Sequence, residues 1–356
     1  MKTVQALKQN SLCSWSPCHN GVGEMRVVEP VRTINARSGK ISWNWTRMED
    51  AHISYLLDRG EVHLNALTTT KAASVVEYIA TRESIRKAAS VCRTLSDEEI
   101  EIITSYAELN ADEASYLRVL TFMLKEGLYD NCVLYLPFTR NLRAGINDDN
   151  TTVYDRSVFG NHGTIYGAVW QTLASGKSVL SYDGADDYVE VPHSKSLNIT
   201  NEITIEAWVK HDGSTGWWNP IVSKDYDSTT TKGPYNFAIK PDNTVQFKIF
   251  QADPIPDLEL TTTESITDGI WYHLVVTYDK TLPADNVKIY FNSDLKASAN
   301  YTESIPTNTK NLCVGCYKYG PQYFHGIIDE VRIYSRALSE DEIRRLFNLT
   351  RVFYGV

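Results

Sequence analysis

Cysteine is scarce in this chain of 356 residues. Cys13, Cys18, Cys92, Cys132, Cys313 and Cys316 are too few to make a disulfide scaffold of a chain this long. Cys313-Val-Gly-Cys316 has no matching second pair. A structural or free-thiol role is therefore read there, not zinc, which needs four ligands. A Cys13–Cys18 loop closure stays open. No apolar run is long enough to span a membrane, and the N-terminus lacks the apolar core of a secretory leader. Positive charge is in the minority. Up to residue 130 there are 15 basic and 17 acidic residues, and beyond it 20 and 27, for a net charge of −9. A phosphate-binding surface needs a basic footprint, so this balance argues against nucleic acid as the main partner. A Gly-rich phosphate loop, a Ser nucleophile elbow and a His-Glu-x-x-His zinc string are all missing.

What is present divides the chain. The length suggests two domains. Residues 1–47 read as an irregular arm with Trp15, Trp43 and Trp45, packed either on the chain's own helices or on a neighbouring subunit. Residues 48–130 read as a small all-α domain. Ala72, Val75, Val76 and Ile79 follow helical spacing, and so do Ile85, Ala88, Ala89 and Cys92; the two stripes are out of phase, so the helix buries two faces or breaks near Thr81 to Glu83. Ser96 and Glu99 form a capping box. A further helix from about Asp112 turns Leu117, Leu120 and Leu124 inward and stops at Gly127.

From Cys132 the period switches to two. Short strands alternate with turn signals such as Asp183-Gly184, Asp212-Gly213 and Asp268-Gly269, which predicts a β-sandwich over residues 131–356. A closing helix begins at Ser339, whose capping box pairs it with Glu342, and is expected to pack at the sandwich edge. The string Tyr323-Phe-His-Gly-Ile-Ile-Asp-Glu-Val-Arg-Ile-Tyr, running on through Ser339 to Ile343, resembles the closing signature of laminin-G-like jelly-roll domains of the concanavalin A-like lectin/glucanase superfamily. Three upstream stretches resemble that family in the same order. They are Asp155 to Gly167, Tyr182 to Pro192, and the strand pair Ile203–Val209 with Trp271–Tyr278, although Phe159 stands where a small residue is common. The resemblance covers about residues 131–349 and implies an all-β jelly roll that binds sugars or proteins and does no chemistry.

The residues support a non-catalytic reading. Glycoside hydrolysis needs two carboxylates facing one cleft, and on this fold a Glu-x-Asp-x-x-Glu strand would supply them. That string is absent. Glu206 stands alone in its strand, and Asp329 and Glu330 are adjacent, so strand alternation would send them to opposite faces. His162, His273 and His325 read as structural hydrogen-bonding groups. Sugar binding would show as exposed rings beside polar loop residues. Trp217 and Trp218 lie in such a segment, with Tyr226 and Tyr235 following. The resemblance also implies one structural calcium, with Asp155, Asn161, Asp186 and Asp329 in the relevant segments.

Taken together, the sequence reads as a non-enzymatic surface or structural protein. Its helical domain would join an assembly or oligomer, and its jelly-roll loops would meet a glycan or a surface protein. The Met1 start without a leader fits a component that leaves the cell by lysis or assembly, such as a virus-particle surface protein, so a virion or extracellular surface is expected. The alternatives are a secreted or cell-surface lectin and a glycan-active enzyme with an unusual site.

Overall fold

The structure is a computed structural model. It describes residues 110–142, 147–214, 216–224, 233–318, 320 and 322–356, and the backbone of 31–34 and 41–43. The chain divides into two compact units, residues 1–126 with 142–145, and residues 127–141 with 146–356.

Within the first unit, the arm read as irregular contains an antiparallel pair, β1 (Val31–Ile34) and β2 (Ile41–Trp43). The helix α1 spans Ala111–Lys125. Asn110 caps it: its side chain accepts from Glu113 N at 3.0 Å, and the Glu113 carboxylate accepts from Asn110 N at 3.2 Å. Leu117, Leu120 and Leu124 are buried as their spacing predicts, and Gly127 adopts φ +71° just past the end. The other helices read in residues 48–130, and the Cys13–Cys18 pair, lie outside the described residues.

The second unit is a jelly-roll sandwich. One sheet contains β6 (Val169–Thr172), β7 (Ser178–Asp183), β20 (His325–Tyr334), β9 (Glu202–His211), β14 (Trp271–Asp279), β15 (Val287–Phe291) and β16 (Asp294–Ala299), in that spatial order. Strand β3 (Cys132–Leu136) adds to it along the second half of β20. The opposing sheet runs β4 (Thr152–Val153), β5 (Gly163–Tyr166), β8 (Tyr188–Val191), β17 (Leu312–Val314), β10 (Asn219–Lys224), β11 (Gly233–Ile239), β12 (Thr244–Phe250) and β13 (Leu258–Ser265). A short hairpin, β18 (Cys316–Tyr317) with β19 (Gln322–Tyr323), follows β17.

Alternation places the core. Ile203, Ile205, Ala207 and Val209 of β9 meet Val189, Val191, Phe237, Val245 and Phe247 of the other sheet. The intervening Thr204, Glu206 and Trp208 therefore point away from the core, yet all are buried. Their cover is the helix α2 (Glu340–Thr350) and the segment after it. The Trp208 ring stacks 4.1 Å from Tyr354 and 5.8 Å from Phe347, and its Nε1 donates to Thr350 Oγ1 at 2.9 Å. The closing helix thus lies across the outer face of its sheet, not at the edge. The reason is the bulky indole at position 208, which offers it a docking surface there. Its predicted capping box is present: Ser339 N donates to the Glu342 carboxylate at 2.8 Å and Glu342 N to Ser339 Oγ at 3.3 Å.

Candidate functional site

The β9–β10 connection presents the most exposed large ring of the described residues. Trp217 is 66% exposed and Trp218 half-buried. The loop around them is held from below. His325 Nδ1 donates to the Gly213 carbonyl at 3.1 Å, His325 N donates to Asn219 Oδ1 at 3.0 Å, and Asn219 Nδ2 donates to the Trp217 carbonyl at 3.2 Å. Gly216 takes φ +84°, a left-handed conformation open to glycine at little cost, and turns the chain just before the tryptophans. The base of the loop is fixed to the β13–β14 turn, where His211 Nδ1 meets Asp268 Oδ1 at 2.7 Å.

Of the other two residues read with the tryptophans, Tyr235 alone lies among the described residues. Tyr226 lies outside the described residues. The expectation for Tyr235 is corrected: it is 1% exposed in the sandwich core, and its hydroxyl donates to the Leu197 carbonyl at 3.1 Å. The alternation Tyr235, Phe237, Ile239 on one strand is the sequence signal for that placement.

The four residues read for calcium occupy three places. Asp155 is buried, and its carboxylate accepts four hydrogen bonds: from Tyr135 N (2.9 Å), Ser157 N (2.8 Å), Ser157 Oγ (2.6 Å) and Asn161 N (2.6 Å). Asn161 in turn donates through Nδ2 to the Val133 carbonyl and Ser196 Oγ. These two residues tie a turn to β3. Asp186 is exposed in the β7–β8 turn beside Asp183 and Asp187, where ligand oxygens of all three lie within 4.8 Å of one another. Asp329 is buried elsewhere, on β20.

Asp329 belongs to an ionic layer on the outer face of its sheet. Arg332 bonds Glu206 through Nε and Glu330 through Nη1, the latter at 2.6 Å. His273 Nε2 lies 3.0 Å from Glu206 Oε2, and the Tyr334 hydroxyl donates to Glu206 Oε1 at 3.1 Å. Lys177 Nζ sits 3.1 Å from Asp329 and 3.7 Å from Glu330. Tyr354 donates its hydroxyl to Asp329 at 2.5 Å. Glu206 is the lone carboxylate of the string Ile203–Val209, as read, and meets Glu330 through Arg332. One expectation is corrected here: Asp329 and Glu330 do not face opposite ways. Glu330 takes φ +51° where the β20–β9 register shifts, a bulge that turns both carboxylates to one side. Burial alone would raise the Glu206 carboxyl, but Arg332 and His273 outweigh it and hold it at about 2. Burial pushes the Asp329 carboxyl well above the ordinary carboxylate range, against the pull of Lys177.

The layer gathers three carboxylates, yet Glu206, Asp329, Glu330, Lys177 and Arg332 have no exposed surface. A polysaccharide chain cannot reach them, so they do not form the open two-carboxylate cleft that hydrolysis needs. Lys177 and Arg332 escaped the sequence reading. The signal for Arg332 was its place between Val331 and Ile333 in an otherwise apolar strand. The histidines hydrogen-bond as expected, His162 Nδ1 accepting from Asp155 N at 3.1 Å.

Residues 183–344 match the family model of the concanavalin A-like lectin/glucanases superfamily. The matched stretch includes the closing string Tyr323 to Ile343, which carried the resemblance to laminin-G-like domains. The solved structures it is similar to include domain 4 of AbnA, a GH43 extracellular arabinanase from Geobacillus stearothermophilus, in complex with arabinotriose. The identity is 20% and the TM-score 0.47, over 61% of this chain and 98% of that one. The binding domain of Paraclostridial Mosquitocidal Protein 1 (18%, TM-score 0.46) and that of Botulinum neurotoxin serotype G (16%, TM-score 0.46) each align with 62% of this chain. This chain spans about half the length of those two, 52% and 51%. No curated protein matches.

Proposed function

We propose that the laminin-G-like unit is a non-catalytic recognition domain whose binding tip is the Trp217–Trp218 loop, and that its ligand is a glycan or a partner protein at a surface. The observation behind this is the Trp217 ring, two-thirds exposed on a loop whose frame is fixed by His325 and Asn219. An indole left in water costs hydration free energy that a ligand's apolar face can recover, and binding hot spots concentrate in such anchors. The test is the double variant Trp217→Ala/Trp218→Ala, compared with wild type on a glycan array and against surface proteins of candidate host cells. The expected result is an unchanged melting temperature and loss of the wild-type ligand. Unchanged binding, or unfolding of the variant, sinks the tip.

The setting is part of the same proposal. The N-terminal region serves as an anchor within an oligomer or larger assembly, and the domain is displayed on a virion or another extracellular surface. The Cys313–Cys316 disulfide supports a surface setting, because such bonds persist in oxidising compartments. It supports a secreted lectin equally. Calcium completes the proposal, now placed at Asp183, Asp186 and Asp187. That turn offers hard carboxylate oxygens close together, as calcium requires; Asp183 and Asp187 each give one oxygen to backbone donors, whereas both oxygens of Asp155 and of Asp329 are occupied by protein donors.

A further inference from the structure

The opposing sheet bears a second aromatic feature on its outer face, built from residues other than the tryptophan loop. Strands β5 and β8 pair Tyr166 with Tyr188 and Thr164 with Glu190, with Ile165, Val189 and Val191 turned into the core between them. The two tyrosine rings stack 4.6 Å apart at 17°, and Tyr323 lies 6.3 Å beyond Tyr188. Tyr166 is 42% exposed, so the stack is not a core contact. The β18–β19 hairpin brings in a cation. Lys318 Nζ stands 4.3 Å from the Tyr188 centroid and 5.9 Å from that of Tyr166, and is ion-paired with Glu190. The hairpin's base is fixed by the Cys313–Cys316 disulfide and by Ser223 Oγ, which donates to the Cys316 carbonyl at 2.7 Å.

We infer that Tyr166, Tyr188, Lys318 and Glu190 form a binding site for a neutral saccharide. The stacked rings offer an apolar platform of the kind the C–H face of a pyranose or furanose needs. Glu190 can accept from sugar hydroxyls and Lys318 can donate to them, and both are already positioned, so little ordering entropy remains to be lost on binding. Fixed geometry is also visible in the charges. Burial alone would lower the Lys318 ammonium and raise the Glu190 carboxyl, but their mutual hydrogen bond reverses both directions. Charge selects the ligand. Asp183, Asp186 and Asp187 precede Tyr188 directly, and Asp187 lies so close to Gly167 that a Cβ there would meet its Oδ1 at 1.9 Å. An acidic sugar or a phosphate would add negative charge to a metal-free rim that already carries Asp183, Asp186 and Asp187, so a neutral sugar is favoured.

The experiment uses the full chain on a printed array of neutral, sialylated, sulfated and uronate-containing oligosaccharides. Calorimetry of the best neutral ligand follows, in chelator so that no metal takes part. The binding that depends on Tyr166 should be to neutral oligosaccharides only. Tyr166→Ala should weaken it at least about tenfold with an unchanged melting temperature, Tyr166→Phe should retain it, and Lys318→Met should weaken it severalfold. Leu295→Ala, an exposed apolar side chain on the edge strand β16 of the other sheet, should leave it unchanged. Binding of no neutral saccharide, preference for acidic ones, or indifference to Tyr166→Ala each overturns the assignment.

Discussion

Asp329 and Glu330 are consecutive residues of one strand, and both carboxylates face the same lysine: Lys177 Nζ is 3.1 Å from the first and 3.7 Å from the second. Strand alternation forbids this unless the ladder is broken between them, and the left-handed Glu330 supplies the break. The consequence is electrostatic. Two acids share one buried cation, while Arg332 is divided between Glu330 and Glu206. Burial then favours the neutral form of one member, and Asp329 takes that part.

Stability should therefore depend on pH through Asp329 in the sense opposite to an ordinary paired aspartate. Its folded carboxyl holds a proton that the unfolded chain releases near pH ~4. Above that point the native state binds more protons than the unfolded state, so stability falls as pH rises through neutral. Glu206, held at about 2, loses its stabilisation only as pH falls through that value, outside the window. Asp148, raised to about 6 by burial, adds a slope that cancels between variants. Denaturant midpoints of wild type and Asp329→Asn, measured from pH 4 to 8, should diverge, with the variant flatter. Parallel curves would remove Asp329 from the account.

Arg332→Met should be among the most damaging single changes. The methionine fits the volume but leaves Glu206 and Glu330 buried without the guanidinium, and breaking a buried pair from one side costs about 3–5 kcal/mol. Adding Glu206→Gln to the same chain should recover part of that loss, since the two residues are in direct contact. Urea unfolding of the single and double variants measures both. A loss below about 1 kcal/mol for Arg332→Met would mean that the layer is hydrated and not the dry network described.

The sandwich was legible because its physics is local. Alternation and turn residues mark each strand, and Ser339 with Glu342 marks the helix start without help from the fold. What was hidden depends on contacts between distant residues. Nothing near Lys177 announces that it will reach β20. The Glu330 bulge is a single-residue dihedral that no pattern of polarity records. Glu190 and Lys318 are 128 positions apart and meet only because the β18–β19 hairpin lies over β8. Of the aromatics, Trp217 and Tyr235 look alike as members of a polar segment, yet Tyr235 sits in the alternating strand β11 and Trp217 in a glycine-turned loop. The calcium residues failed to assemble for a similar reason. An aspartate in a turn has two uses for its oxygens, and Asp155 spends all of its capacity on backbone and hydroxyl donors.

Calcium should act at the β7–β8 turn. Asp187 is buried, and burial first, then the charges of Asp183 and Asp186, raise its carboxyl. That repulsion is the cost of bringing three acids together, and a divalent cation would relieve it. An ion that binds only the folded state stabilises by mass action, about 2.7 kcal/mol at a hundredfold excess over its dissociation constant. Protein freed of metal should gain melting temperature on adding calcium and lose it again with chelator. Asp186→Asn should abolish the calcium increment while barely changing the metal-free melting temperature, because Asp186 is exposed. Asp155→Asn should do the reverse: it should destabilise the metal-free protein by removing a fourfold hydrogen-bond acceptor and leave the calcium increment in place. Identical melting with and without the ion would remove calcium from the domain, and a calcium increment lost in Asp155→Asn but kept in Asp186→Asn would move the site to the Asp155 turn.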